Sequence, residues 1–455
     1  MVRIQRPIIP PRRGPGKPLQ CASGCLSRRA REQQTGGQRE GTMMREPGGI
    51  LSSHVRRRSG RPTVSSHRAG HPSLPTAALP APRQANRARQ ARHGPRSPNH
   101  NGQASTMRIT ELFGIDLPII QAPLAGVQGS TLAIAVCRAG GLGSLPCAML
   151  APEAIGQEVA AIAAATDRPY NLNFFCHTAP TPDPTREARW RAALAPYYAE
   201  FGIDPAGIAA GPGRLPFSDE IADLIEPCAP RIVSFHFGLP APRLVGRVHA
   251  WGASILASAT TVDEARWLEA HGADVIIAQG LEAGGHRGHF LERDLNGQMR
   301  TFELLPRVLA ATRLPVIAAG GIATPAAVAA ALQQGAAGVQ VGTAYMLCPE
   351  ATTSPLHRAA LRAASGGDTR LTNLFTGRPA RGIENRLMRE LGPLSDLPPD
   401  FPLATAALGP LRAKAEALGR SDFSPLWAGE SVAAISEESA AALTRRLAGG
   451  EQVAT

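Results

Sequence analysis

One histidine stands out by the company it keeps. The segment Glu282-Ala283-Gly284-Gly285-His286-Arg287-Gly288 sets three glycines within five residues around His286. Glycine has the most backbone freedom to lose, so this spacing predicts a loop and not a helix. The loop follows directly on the apolar run Val275–Gly280. A neutral imidazole projecting from it suits general-base chemistry near pH 7. Glu282, His286 and His289 have a spacing that would converge on a metal if they lay on a helix. The glycines remove the helix, so no metal is expected.

Two further loops carry glycines: Gly320-Gly321-Ile322-Ala323-Thr324-Pro325 and Gln340-Val341-Gly342-Thr343-Ala344. Glycines let an anion approach the backbone. Thr324 stands where a helix N-cap belongs, with Pro325 at the first helical position. A helix N-terminus offers free N–H groups and the positive end of a dipole, so the pair of loops reads as a phosphate site, with Thr343 adding a hydroxyl. Asn173 and Gln279 each end an apolar run. Their amides suit the edge of a flat heterocycle such as a flavin, or else bond one another in the core. Cys176, His177, His236 and Tyr345 fall in the same region, where lining is their expected role.

The elements that must position these residues are legible as eight apolar runs. They are Pro118–Gln121, Gly141–Leu145, Tyr170–Phe175, Arg231–Phe237, Ser254–Ser258, Val275–Gly280, Pro315–Gly320 and Gly338–Thr343. Helical stretches such as Thr131–Ala139, Pro152–Ala165, Val262–His271 and Pro325–Gln334 separate them. Continuously apolar strands are buried on both faces, as in a parallel sheet. Eight of them alternating with helices predict an α/β fold of the (β/α)8 TIM-barrel type, whose chemistry lies at the C-terminal ends of the strands. A doubly wound sheet with a dinucleotide site lacks support, because no GxGxxG follows the first strand. The barrel is expected over 107–350, with an insertion after strand three at about 176–230. A C-terminal cap and tail of helices and loops over 351–455 includes Phe375–Leu391 and Phe401–Leu418.

Composition narrows the classes. The chain has 455 residues and a net charge of +12, which divides into +17 on residues 1–106 and −5 on the rest. Lys17 and Lys414 are the sole lysines. That excludes a Walker phosphate loop and Schiff-base chemistry in the region between them. Seven widely spaced cysteines without a CxxC pair suit a reduced, cytoplasmic protein. No apolar run is long enough for a membrane span, and no secretory signal is expected. Residues 1–106 are rich in Arg, Pro, Gly and Ser and lack aromatics. They are expected to form a disordered basic extension without a role in the site, translation starting at Met107. Nucleic-acid binding by that arm is a minor alternative.

Several segments together resemble the nitronate monooxygenase family, formerly called 2-nitropropane dioxygenases, which are FMN-dependent TIM barrels. They are PIIQAPLAG (118–126), NLNFF (171–175), QGLEAGGHRG (279–288), AAGGIATP (318–325), QVGTAYM (340–346) and RGIENRLMREL (381–391). The resemblance covers about 107–430, and residues 1–106 have no counterpart in it. It implies that FMN is held by the backbone around Ala122, Pro123 and Leu124, the side chains of Asn173 and Gln279, and the backbone at Gly285, Gly320 and Gly321. Gln340, Val341, Gly342 and Thr343 complete that set. Leu124 stands where the family often has Met. His286 takes the place of the family's active-site histidine. The implied activity is oxidation of a nitronate or nitroalkane with O2 to a carbonyl compound and nitrite. The alternative on the same barrel is a flavin-dependent NAD(P)H reductase of quinones or enoyl thioesters. A flavin-free phosphosugar isomerase or lyase would need Glu282 as its acid/base.

Overall fold

The computed structural model describes residues 108–208 and 214–450. The expectations for residues 1–106, and the start at Met107, lie outside the described residues. Each apolar run becomes a strand: β1 (Ile119–Gln121), β2 (Gly143–Pro146), β3 (Tyr170–Phe175), β4 (Ile232–His236), β5 (Ser254–Ala259) and β6 (Val275–Gln279). A two-residue strand, β7 (Gly285–His286), precedes β8 (Val316–Ala319) and β9 (Gly338–Val341). All but β7 pair in parallel in the order β1-β9-β8-β6-β5-β4-β3-β2. A bridge from Ile120 to Leu142 joins the two ends, with Gln121 N donating to Leu142 O at 2.9 Å. The result is the expected eight-stranded (β/α)8 barrel.

Short helices wrap the sheet in sequence order: α1 (Ile109–Phe113), α2 (Ser130–Arg138), α3 (Pro152–Ala165), α4 (Pro184–Glu200), α5 (Asp219–Ile225), α6 (Pro242–Ala250), α7 (Val262–Ala270), α8 (Thr301–Ala311) and α9 (Pro325–Gln333). Local chemistry starts several of them. Thr261 accepts from Glu264 N at the head of α7, and Thr324 accepts from Ala327 N at the head of α9, both at 3.2 Å. Helix α1 seals the N-terminal end of the barrel. Ile109 and Phe113 pack with the interior residues Ile120, Leu256, Ile277 and Ile317. Gly338 makes room for that plug, since a Cβ there would lie 2.1 Å from the Ile109 side chain. None of the described helices is long and apolar enough to cross a membrane.

The insertion between β3 and β4 and the C-terminal region share one apolar cluster. Trp190, Leu194 and Tyr198 of α4 pack against Leu374, Leu387, Leu408 and Phe423. The C-terminal region holds α10 (Pro355–Ala363), α11 (Arg386–Leu391), α12 (Ala404–Ala417) and α13 (Ala440–Leu447), but also two strands, β10 (Thr369–Thr372) and β11 (Ala380–Ile383). Strand β11 lies between β10 and β7 in an antiparallel sheet. The stretch Phe375–Leu391 therefore holds a strand, β11, besides the expected loop and helix. Gly377, Pro379 and Gly382 interrupt helical geometry, and the ladder to β7 takes up the freed backbone groups.

Candidate active site

The C-terminal ends of the barrel strands open on a cavity of about 290 Å³. Ala122, Pro123, Leu124, Asn173, Gln279, Gly285, His286, Gly320, Gly321, Gln340, Gly342 and Thr343 all line it. Val341 does not. Its side chain is buried in the layer between barrel and helices, and its carbonyl accepts from Ala122 N at 2.8 Å. Alternation along a strand explains this: Gln340 faces inward, so Val341 faces out.

The first loop, 122–126, is set by a residue the sequence reading missed. The Gln128 Oε1 atom accepts from Leu124 N at 2.8 Å and from Gln121 Nε2 at 2.6 Å, while its Nε2 donates to Ser144 O at 2.7 Å. One buried carboxamide thus ties the loop to β1 and β2. No local pattern marks it, because its partners come from two strands.

On the β8/β9 side two of the glycines take backbone forms that other residues avoid. Gly320 and Gly321 have φ of +112° and +69°, in the left-handed region that side chains avoid. Gly342 leads into a 3-10 turn over Thr343–Leu347, whose first N–H groups have no partner within the turn. Gln340 Oε1 is buried without a partner among the described residues. Sequence reading did not foresee the segment that crosses here. Gly429 N donates to Thr343 Oγ1 at 2.9 Å, and Ser431 Oγ donates to Gly321 O at 2.8 Å. Glu430 anchors the crossing through ion pairs to Arg300 at 2.6 Å and Arg381 at 3.1 Å.

The histidine loop is less free than its glycines suggest. Strand β7 pairs with β11, Ala380 opposite His286 and Arg381 opposite Gly285, and Arg287 N donates to Pro379 O at 2.9 Å. Gly285 has φ +70°. Gln279 spends its amide on this loop: Nε2 donates to His286 O at 3.0 Å and Oε1 accepts from Gly288 N at 2.8 Å. Asn173 lies deeper, its Nδ2 donating to Ser234 Oγ at 2.9 Å. The two amides do not bond one another. Below the loop, Arg287 is fully buried; its guanidinium donates to Gln279 O at 2.8 Å and to Gln298 Oε1 at 2.7 Å. Among the described residues no carboxylate pairs with it, and burial pushes its pKa down to about 9.

His286 itself is half-buried on the cavity wall. Its Nε2 lies 3.0 Å from Thr376 Oγ1. Phe401 and Trp427 crowd its ring at centroid distances of 5.3 and 5.5 Å, with Phe237 and Phe175 beyond at 6.0 and 6.3 Å. Burial first, then the Arg214 charge, then His236 and the Arg378 charge hold its pKa well below the usual imidazole value. The ring is neutral at pH 7. Arg214 and Thr376 both escaped sequence reading: they come from the insertion and the cap, far from His286 in the chain. The Arg214 guanidinium lines the cavity and sits 5.4 Å over the Phe401 ring.

The remaining candidates divide. His236 lines the cavity, bonded to Ser258 Oγ at 3.0 Å and to His286 O at 3.2 Å. Tyr345 is wholly buried and bonds Thr444 at 2.8 Å, away from the cavity. The Glu282 carboxylate lies on the wall but is engaged by Thr301 N at 2.9 Å and Arg300 at 3.3 Å. It caps α8 and is not poised for acid/base work, which removes the basis for the isomerase alternative.

Comparison with known proteins agrees with this geometry. The family model described as nitronate monooxygenase matches residues 106–448. The nitronate monooxygenase of Pseudomonas aeruginosa is 41% identical over 351 residues, covering 75% of this chain and 98% of that one. That of Paraburkholderia phytofirmans is 40% identical over 363 residues, covering 77% and 94%. Among solved structures, nitroalkane oxidase from Streptomyces ansochromogenes superposes with a TM-score of 0.68 at 37% identity, covering 75% of this chain and 96% of that one. By sequence, fold and the arrangement at the barrel mouth, the chain belongs to the nitronate monooxygenase family.

Proposed function

We propose that the protein is an FMN-dependent enzyme that oxidises nitronates, and nitroalkanes after proton removal, with O2 to a carbonyl compound and nitrite. The observation that carries this reading is His286: a neutral imidazole on the cavity wall, pinned by β11 on one side and Thr376 on the other.

The residues present fit the cofactor. Gln340 Oε1, without a partner among the described residues, would accept from a donor such as a ribityl hydroxyl. A Cβ on Gly342 would meet only Ala122 and Leu124 at 3.5 Å, so the space beside its backbone is open. Phosphate would rest on the N–H groups around Gly320, Gly321, Gly342 and Thr343, next to the dipole of α9. Ala122 to Leu124, Asn173 and the Gly285 backbone would face the ring, with Gln279 holding the loop that carries Gly285. FMN supplies one-electron redox chemistry between an electron-rich carbon acid and O2.

The chain's own residues do the rest. Aromatic rings exclude water around His286, and the low polarity keeps the imidazole neutral and able to accept a proton. From a neutral nitroalkane it takes the α-proton: the C–H bond breaks, an N–H bond forms and the pair left behind makes the nitronate. The imidazolium then faces the new anion, which offsets its burial. A pre-formed nitronate skips this step and meets the Arg214 cation on the same wall.

Anaerobic titration of the purified protein, with its absorption spectrum followed, tests the reading. A flavin spectrum that bleaches or shifts with nitronate, and not with NADH, is expected. Bleaching by NADH alone would replace this function with the reductase alternative.

A further inference from the structure

Three partners compete for the single hydroxyl of Thr376. Arg378 N donates to Oγ1 at 3.4 Å, Oγ1 donates to Arg378 O at 3.3 Å, and His286 Nε2 lies 3.0 Å away. A hydroxyl has one proton to give and two lone pairs. Giving the proton to Arg378 O lets all three contacts form, whereas giving it to His286 Nε2 would leave Oγ1 and Arg378 O facing each other at 3.3 Å with no proton between them. The Arg378 N–H uses one lone pair. What faces His286 is the other lone pair, and only an N–H can bond to it.

We infer that Thr376 fixes His286 in the tautomer protonated at Nε2, leaving Nδ1 as the atom that receives the substrate's proton. Thr376 is then a positioning residue for the proposed reaction. Nδ1 has no hydrogen bond among the described residues, and the ring lines the cavity. The bonding partner of one ring nitrogen sets the protonation of the other.

Thr376 is well placed to hold this setting. It is 3% exposed, between the buried Phe375 and Gly377. Gly377 has φ +85° and would place a Cβ 2.0 Å from Pro399 O, so the turn admits no bulkier residue without moving the cap. When Nδ1 takes a proton the C–H pair stays on the substrate carbon, and the positive ring still donates Nε2–H to the same lone pair. The site need not rearrange as charge forms.

This inference rests on the proposed function only in naming the substrate. The test has two arms on the flavin-loaded protein. In the first, 15N-histidine NMR, assigned by difference with His286→Asn, reports which nitrogen of His286 carries the proton. Wild type should show a protonated Nε2 and a bare Nδ1, Thr376→Ser should keep that pattern, and Thr376→Val should lose it. A bare Nε2 in wild type overturns the inference. In the second arm, Thr376→Val should lower kcat/KM for a neutral nitroalkane by about 10–100-fold, the usual scale for removing a partner that orients a reactive imidazole. It should fall far less for the matching nitronate, and Thr376→Ser should recover most of the loss. Equal losses on both forms, or loss of flavin, would mean that Thr376 merely supports the fold. If wild type turns over neither form, the proposed function falls, and the NMR arm alone decides the tautomer.

Discussion

Gln279 and His286 are joined through the amide of the first and the backbone carbonyl of the second, at 3.0 Å, across the turn that separates β6 from β7. The same Gln279 side chain takes Gly288 N at 2.8 Å, so one residue holds the loop at the histidine and again two residues on. A strand end and a loop rich in glycine are thereby made one rigid unit.

Gln279→Leu should loosen that unit. Two hydrogen bonds vanish; Gly288 N loses its buried partner at about 1–3 kcal/mol, while His286 O keeps His236 Nε2 at 3.2 Å. The expected result is a lower Tm and a fall in kcat larger than the fall in bound flavin, because the proposed phosphate cradle lies on other strands. Thermal melting, kinetics and flavin content on one preparation check it. A fall in flavin content that matches the fall in activity would show that Gln279 acts chiefly on the cofactor.

How much of this was legible beforehand depends on how far each contact reaches along the chain. The eight strands were, because apolar runs bounded by glycine are a local signal. The place of Gly320, Gly321, Gly342 and His286 on the cavity wall was legible for the same reason. Thr376, Arg214 and Gln128 were not, since each acts through a partner that only the closed fold brings near. The strand β11 was hidden because Ala380-Arg381-Gly382-Ile383 has no strand-like alternation and gains its identity from pairing with β7. Gln279 was legible as part of the site, but its immediate target, the histidine loop, was not.

Gly342→Val should abolish flavin retention. Its φ of −113° is open to any residue, and a Cβ would meet protein atoms only at 3.5 Å. The protein itself leaves room for a Cβ there, so the substitution, with its melting curve as control, reports on what shares the space. Gly321 is a poorer probe, because φ +69° strains any substitute before a ligand is considered. Gly342→Val with a native melting curve and full flavin would place the phosphate elsewhere.

Removal of residues 1–106 should leave flavin content, turnover and solubility unchanged. The family match begins at residue 106. The charge division gives the same boundary, +17 before it and −5 after. Loss of flavin in the shortened chain would give the arm a structural role. Salt-dependent nucleic-acid binding that disappears with it would give the arm a separate one.

Stability should decline as pH falls below about 6.5, where free imidazoles take up protons. Burial, the largest cause in each case, pushes His177 and His357 down to about 4 and His236 and His289 down to about 3. Between these values and the ordinary one, the unfolded chain binds protons that the folded chain refuses. The stabilisation is thus complete above about pH 6.5 and is lost on acidification, at about 1.4 kcal/mol per pH unit for each such group. Tm measured from pH 8 to pH 4.5 should be level at first and then drop steeply. A level curve throughout would show that these rings are solvated.

His286→Asn separates the two halves of the proposed chemistry. If the imidazole is a general base, turnover of a neutral nitroalkane should fall by about 10²–10⁴, the usual contribution of such a group. A pre-formed nitronate has already lost its proton and should suffer much less. Bound flavin should stay near wild type, since His286 is held by Thr376 and β11 while the cradle belongs to β8, β9 and the segment through Gly429. The depressed pKa adds a second signature: with the ring neutral down to acid pH, the nitroalkane rate in wild type should show no loss of base between pH 8 and pH 6. Steady-state kinetics on the matched neutral and anionic forms of one substrate, across that pH range, decide the matter. Equal losses on both forms would refute the base role and leave His286 as an electrostatic or binding residue.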